Sequence, residues 1–315
     1  MANLIEVKHL KKYFETPKGL LHAVDDVSFH IKAGQTMGVV GESGCGKSTL
    51  GRTLIHLLDS TGGTIFFEGK DVTHVNAKQL YDLRADMQII FQDPYSSVNP
   101  RMTVEQTISE PLLISGRFSK KELEEETERL MDMVGVDRRL RLAYPHELDG
   151  GRRQRVGIGR ALALNPKFVV CDEPVSALDV SIQAQILNLL KSLQKELGLT
   201  YIFITHDLSV VKYFADDIGV MYLGQMVEKA SSVDIFAEPL HPYTKALLSA
   251  VPVPVVGQER RKRQLIRGEI TSPVNLPDEC RFCSRCDESQ EAVCRAGNPP
   301  LREVKAGHFV ACARL

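Results

Sequence analysis

Residues 36–49 read Thr36-Met37-Gly38-Val39-Val40-Gly41-Glu42-Ser43-Gly44-Cys45-Gly46-Lys47-Ser48-Thr49. The first five form a short apolar run that stops at Gly41, as a buried parallel strand does before a loop. Gly41 to Ser48 then fit G-x-x-x-x-G-K-[ST], and from Lys47 the pattern turns helical through Leu50, Leu54 and Leu57-Leu58. Strand, glycine-rich loop and helix in that order make a phosphate cradle. The glycines let backbone N–H groups curl around an anion, and the helix points its positive end at it. Lys47 supplies a point charge to β and γ phosphates, and Ser48 offers a hydroxyl to Mg²⁺.

Working outward, Phe168-Val169-Val170-Cys171-Asp172-Glu173 is a second buried-strand candidate ending in two acids. Adjacent carboxylates at the end of such a strand are costly unless they meet a cation or activate water. Asp172 is read as orienting the Mg²⁺ shell and Glu173 as polarising the attacking water. Tyr201 to Ile204 is a further strand candidate. Between the two, Ile182 to Leu197 places Ile186, Leu189, Leu190 and Leu193 on one helical face. Strand, helix, strand indicates a parallel sheet covered on both faces, an α/β class. Leu4 to Ile31 reads as short strands with a turn. Residues 102–164, rich in Glu, Leu and Arg at helical spacing, read as a mostly helical insertion.

The chain has 315 residues, 43% hydrophobic and 25% charged, with a formal net charge of -1. That is enough apolar material for a large core, and more length than one average domain uses. The charge balance offers no basic field for nucleic acid, and Arg260-Arg261-Lys262-Arg263 reads as a solvated linker. The N-terminus lacks a secretory core, and no run of about 18 apolar residues spans a bilayer, so membrane contact is expected only through partners. Pro242 to Pro254 ends in an extended Pro/Val stretch, which sets the expected boundary: domain 1–254 and a small domain 255–315. The latter holds five of the seven cysteines, Cys280, Cys283, Cys286, Cys294 and Cys312. So small a domain needs a staple, and in a reducing compartment a metal or cluster is favoured over disulfides.

Taken together these motifs resemble the ATP-binding subunits of ABC transporters, over about residues 4–255. Gln92, in Phe91-Gln92-Asp93-Pro94, resembles the Q-loop glutamine that touches Mg²⁺. Leu148-Asp149-Gly150-Gly151-Arg152-Arg153-Gln154 resembles the signature LSGGQ. Ser176-Ala177-Leu178-Asp179 resembles the D-loop, and His206 the switch histidine. Tyr13 occupies the place of an adenine-stacking aromatic. The resemblance implies a P-loop NTPase of ABC type, with a RecA-like parallel core, an antiparallel β subdomain and a helical subdomain at about 102–164. It implies ATP and Mg²⁺ as cofactors. Gly41, Ser43, Gly44, Cys45, Gly46, Lys47, Ser48, Thr49 and Asp172 would bind the nucleotide, with Mg²⁺ on Ser48, Gln92 and Asp172. Glu173, His206 and Gln92 would be catalytic.

In such proteins two domains pair head to tail, and each signature faces the partner's ATP. Asp149, Gly150, Gly151 and Arg152 would take that part here, although Asp149 stands where the family has serine and Arg152 where it has glutamine. A carboxylate cannot donate to a γ-phosphate unless protonated. Either Asp149 serves chiefly as a helix N-cap beside Arg152 or Arg153, or the ATP site it completes is weakened.

Gly44 to Arg52, Phe91 to Pro100 and His241-Pro242-Tyr243-Thr244 narrow the resemblance to the second ATPase subunit of dipeptide and oligopeptide importers, a group that shares its features with nickel importers. The implied partners are a second ATP-binding subunit, two membrane permease subunits and an external solute-binding protein, with the chain on the cytoplasmic face of the membrane. In the tail, Cys280, Cys286, Cys294 and Cys312 match the group, which implies a [4Fe-4S] cluster. Zinc is the alternative, and Cys283 is a further candidate ligand.

Overall fold

The structure is a computed structural model and describes residues 2–93, 95, 97–251, 266, 268 and 272–315. The Arg260–Arg263 run, the Pro/Val stretch and the expected boundary at 254/255 fall outside the described residues. The chain divides into two compact units, residues 1–74 with 203–315, and residues 75–202.

The first unit begins with β1 (Asn3–Thr16), β2 (Gly19–Lys32), β3 (Thr36–Val40), α1 (Lys47–Leu54), β4 (Gly62–Phe67) and β5 (Lys70–Asp71). β2, β1, β4 and β5 form an antiparallel sheet in that order. The expected short strands are thus two long ones, joined by a tight turn at residues 17–18. All five residues of β3 are buried, which explains its unbroken apolar run.

The second unit contains α2 (Ala77–Asp86), β6 (Met87–Ile90), α3 (Val104–Ser115), α4 (Lys120–Met133), α5 (Gly150–Leu162), β7 (Phe168–Asp172) and α6 (Val180–Leu197), and ends in β8 (Thr200–Ile204). β6 and β7 pair in parallel, and β8 lies on the other side of β7. The stretch 102–164 contains α3, α4 and α5, and α3 and α4 each start with a reciprocal cap, Thr103 with Gln106 and Ser119 with Glu122. In α6 the buried set is Ile186, Leu187, Leu190 and Leu193, so Leu187 takes the place expected for Leu189. The 3.6-residue period allows either, and the packing selects one.

The first unit resumes with α7 (Leu208–Phe214), β9 (Asp217–Tyr222), β10 (Gln225–Ser231), α8 (Ser232–Ala237), α9 (Pro242–Ala250), α10 (Glu291–Cys294), β11 (Arg302–Lys305) and β12 (His308–Val310). β9 lies parallel to β3, and β10, β12 and β11 extend the sheet antiparallel. β11 and β12 therefore share a sheet with the phosphate-loop strand. Glu228, fully buried on β10, accepts from the backbone N–H groups of Leu240 and His241 and pairs with His308 Nε2 at 2.7 Å. Among the described residues no helix is long and apolar enough to cross a membrane.

Candidate functional site

Each unit holds part of the expected nucleotide site. In the first, the loop Gly41–Ser48 runs from β3 into α1, with Gly46 as N-cap. Gly41 and Gly46 have φ of 150° and 103°. A Cβ on Gly46 would stand 1.9 Å from Ala23 O, and one on Gly41 2.2 Å from Met221 O. Glycine is needed at both for close approach as well as for φ. Lys47 Nζ, only 5% exposed as a residue, donates to Gly41 O and Glu42 O, both at 2.9 Å. Its charge is thus held on the loop by the loop's own carbonyls. Cys45 is buried, and burial pushes its thiol up. Ser43 and Gly44 are exposed, and Ser48 and Thr49 half-buried.

His206 is exposed, just beyond β8, where the Thr205 N–H donates to Val39 O at 3.2 Å. Tyr13 lies on β1 with its ring 4.4 Å from that of His22, and its hydroxyl donates to Asp25. Burial and the Asp25 carboxylate raise the Tyr13 pKa, so the phenol stays protonated. Arg281 also bonds to Asp25 and to Leu223 O.

In the second unit, Asp172 is the last residue of β7 and 1% exposed, and Glu173 follows with φ of 47°. That left-handed conformation is strained for a glutamate and is of the kind that collects at functional sites. Gln92 Nε2 donates to Glu173 Oε2 at 2.9 Å, so two of the expected catalytic residues touch. Asp149 is the N-cap of α5, its Oδ1 accepting from the Arg152 N–H at 2.7 Å, with Arg152 Nε 3.4 Å from Oδ2. A Cβ on Gly151 would stand 2.7 Å from Ile182 Cγ2, and one on Gly150 3.1 Å from Leu178 Cδ2. The two glycines thus let α5 start hard against the Ser176–Asp179 segment and α6. Arg153, 1% exposed, donates to Pro145 O and Leu148 O at 2.8 Å and lies 3.3 Å over the Tyr95 ring. Beside Phe91 opens a cavity of about 430 Å³, lined by apolar residues such as Pro111, Ile114 and Leu164 and by the charged Arg84, Glu110 and Arg160.

All seven cysteines are free thiols. Burial pushes the Cys280 thiol up to about 12, with Cys294, Cys312 and Cys283 adding to the shift, and burial likewise raises Cys286, near Cys294 and Cys312. The expected cluster or zinc site is not assembled, however. Among the described residues no group of three or more His, Cys, Asp or Glu side chains is placed to hold a metal ion. The donor chemistry suits a metal, and the placement does not. His308 is engaged with Glu228 and serves structure.

Sequence reasoning missed Arg285 and Tyr243, which both reach Glu42 in the phosphate loop. Their signal was weak: an arginine between two cysteines, and a tyrosine in His241-Pro242-Tyr243.

A family model described as "ABC transporter" matches residues 24–176, and one described as "Oligopeptide/dipeptide transporter, C-terminal region" matches 227–294. The chain is 50% identical over 98% of its length, and 94% of the relative's, to the putative oligopeptide transport ATP-binding protein YkfD of Bacillus subtilis. It belongs to the ABC transporter ATP-binding family. Within the family it is also 49% identical to the oligopeptide transport ATP-binding protein OppF of Haemophilus influenzae, over 99% of this chain and 97% of that one. Among solved structures, the ATP-binding cassette MJ0796, in a dimeric post-hydrolysis state with ADP and Pi, has a TM-score of 0.67 at 28% identity. That match covers 72% of this chain and 98% of that one. CbiO1 of Clostridium perfringens, part of the ABC transporter complex cbiONQ, gives a TM-score of 0.68 at 29% identity, over 76% and 92% of the two chains. The likeness confirms the ABC-type P-loop fold with its antiparallel subdomain.

Proposed function

We propose that this chain is the ATP-hydrolysing subunit of an importer for di- or oligopeptides, working with a second ATPase subunit, two permeases and an external peptide-binding protein at the cytoplasmic face of the membrane. The observation that carries the reading is the Gln92–Glu173 hydrogen bond, which sets a strained carboxylate beside Asp172 at the end of a buried strand. The identities of 50% and 49% to oligopeptide transport proteins support the solute class.

The glycine loop and Lys47 would bind the β and γ phosphates of ATP, and Ser48, Asp172 and Gln92 would hold the Mg²⁺, whose chemistry is charge neutralisation. Glu173 orients and polarises the attacking water, and His206 contacts the γ-phosphate. Tyr13 takes the adenine ring. Asp149, Gly150, Gly151 and Arg152 face the ATP held by the partner ATPase, with Gly150 and Gly151 giving backbone donors. The cavity beside Phe91, with both apolar and charged walls, would take a cytoplasmic segment of a permease, and occupancy there would be felt at the next residue, Gln92.

Glu173→Gln is expected to keep MgATP binding and lower turnover by about 10²-fold or more. Lys47→Ala is expected to lose binding itself. Peptide uptake by proteoliposomes carrying the complete complex should stop in both. Uptake of Ni²⁺ with no uptake of peptide would replace the solute class while leaving the ATPase reading intact.

The thiol-bound centre stands as a separate proposal resting on donor chemistry alone, and no step of the cycle runs through it. Iron and sulfide at about four each per chain in anaerobically purified protein would support it. Metal-free protein with reactive thiols at Cys280, Cys286, Cys294 and Cys312 would remove it.

A further inference from the structure

We infer that Arg285, from the cysteine-rich C-terminal segment, is a positioning residue for the phosphate loop and acts through Glu42. The inference rests on reading that loop as the MgATP site.

Glu42 is the second residue of the loop, between Gly41 and Ser43. Its carboxylate takes a two-pronged contact from the Arg285 guanidinium, NH1 to Oε2 at 2.8 Å and NH2 to Oε1 at 3.2 Å. The Arg285 side chain is 7% exposed and that of Glu42 21%. The Glu42 backbone N–H donates to the Tyr243 hydroxyl at 2.9 Å, and its carbonyl accepts from Lys47. Side chain, N–H and carbonyl of one loop residue are thus all held, two of them from the far end of the chain.

The holders are themselves fixed. Arg285 closes the short 3-10 turn Cys283–Arg285, and its NH1 also reaches the Tyr222 hydroxyl at 3.3 Å. The Tyr222, Tyr243 and Phe282 rings pack on one another with centroids 4.8 to 5.3 Å apart. His241 caps α9, its Nδ1 accepting from the Tyr243 N–H at 3.1 Å. A planar fork gripping a carboxylate fixes direction as well as distance. The guanidinium's positive charge also offsets that of the carboxylate in a loop built for anions.

The contact predicts an effect on nucleotide affinity more than on chemistry, because Asp172 and Glu173 are untouched. MgATP titrated into the purified full-length chain by calorimetry, with steady-state ATPase, is the test. Arg285→Met is expected to weaken MgATP binding and raise KM about tenfold while kcat stays within about threefold. Arg285→Lys, which keeps charge but loses the fork, is expected to recover only part of that loss. Adding Glu42→Gln to Arg285→Met should cause no further loss, since both act on one contact. If Arg285→Met does not fold, Tyr243→Phe removes only the hydroxyl that accepts the Glu42 N–H and should raise KM about three- to fivefold. Folded variants that bind MgATP within twofold of the wild type, or losses that add in the double variant, overturn the inference. Failure of the wild-type chain to bind MgATP would instead overturn the reading of the loop.

Discussion

Replacing Asp149 by serine separates two accounts of the altered signature. Opposed to a γ-phosphate about 4 Å away, a free carboxylate would cost roughly 4 kcal/mol at an effective dielectric near 20, close to a thousandfold in affinity or rate. The structure gives Asp149 other work. One oxygen caps α5 through the Arg152 N–H at 2.7 Å, the other lies 3.4 Å from Arg152 Nε, and the side chain is 53% exposed. Water and Arg152 therefore screen most of the repulsion, and an exposed pair of this kind contributes under about 1 kcal/mol. Serine caps about as well as aspartate, whereas alanine forfeits about 1 kcal/mol. Asp149→Ser should then leave ATPase of the assembled complex within a few-fold and thermal stability nearly unchanged, while Asp149→Ala should lower Tm by about 2–4 °C. Both are read from Mg²⁺-dependent phosphate release and a melting curve. A rise in turnover of a hundredfold or more on Asp149→Ser would refute the reasoning, because it would mean the carboxylate had been blocking the partner's ATP site.

Gly46→Ala places a methyl 1.9 Å from Ala23 O at φ 103°, so it should abolish MgATP binding, read by calorimetry, even in protein that remains folded. His241 is buried and neutral, its pKa pushed down to about 3 chiefly by desolvation. Below about pH 6.5 the unfolded chain takes up a proton that the folded chain refuses, so stability should fall with pH by up to about 1.4 kcal/mol per unit. Urea unfolding at pH 7.5 and 5.5 checks this, and His241→Asn should flatten the dependence while keeping a cap. Ile114 lines the cavity beside Phe91 and is 67% exposed. Ile114→Glu should leave ATPase of the isolated chain unchanged and weaken co-purification with the permeases.

Local chemistry made much of this protein legible from its sequence. A short apolar run that stops at a glycine-rich phosphate motif reads as a strand buried on both faces, and β3, β7 and β8 are buried along their whole lengths. The glycine pattern of the phosphate loop is legible because φ and close approach force glycine at Gly41 and Gly46. Spacing could not tell Leu187 from Leu189, because both lie within the helical stripe. Nor could it say that Glu173 would be strained and bonded to Gln92, 81 residues earlier.

The tail shows the division most clearly. Five cysteines in a short C-terminal stretch lead to the expectation of a small domain held by a metal. The spacing is silent on what that stretch meets: β12 pairs with β10, Arg281 reaches Asp25 and Arg285 reaches Glu42. Motif and period fix what a residue can do and which way its own element faces. Which charge meets which across 243 residues of chain is decided only when the sheet brings the two ends of the first unit together.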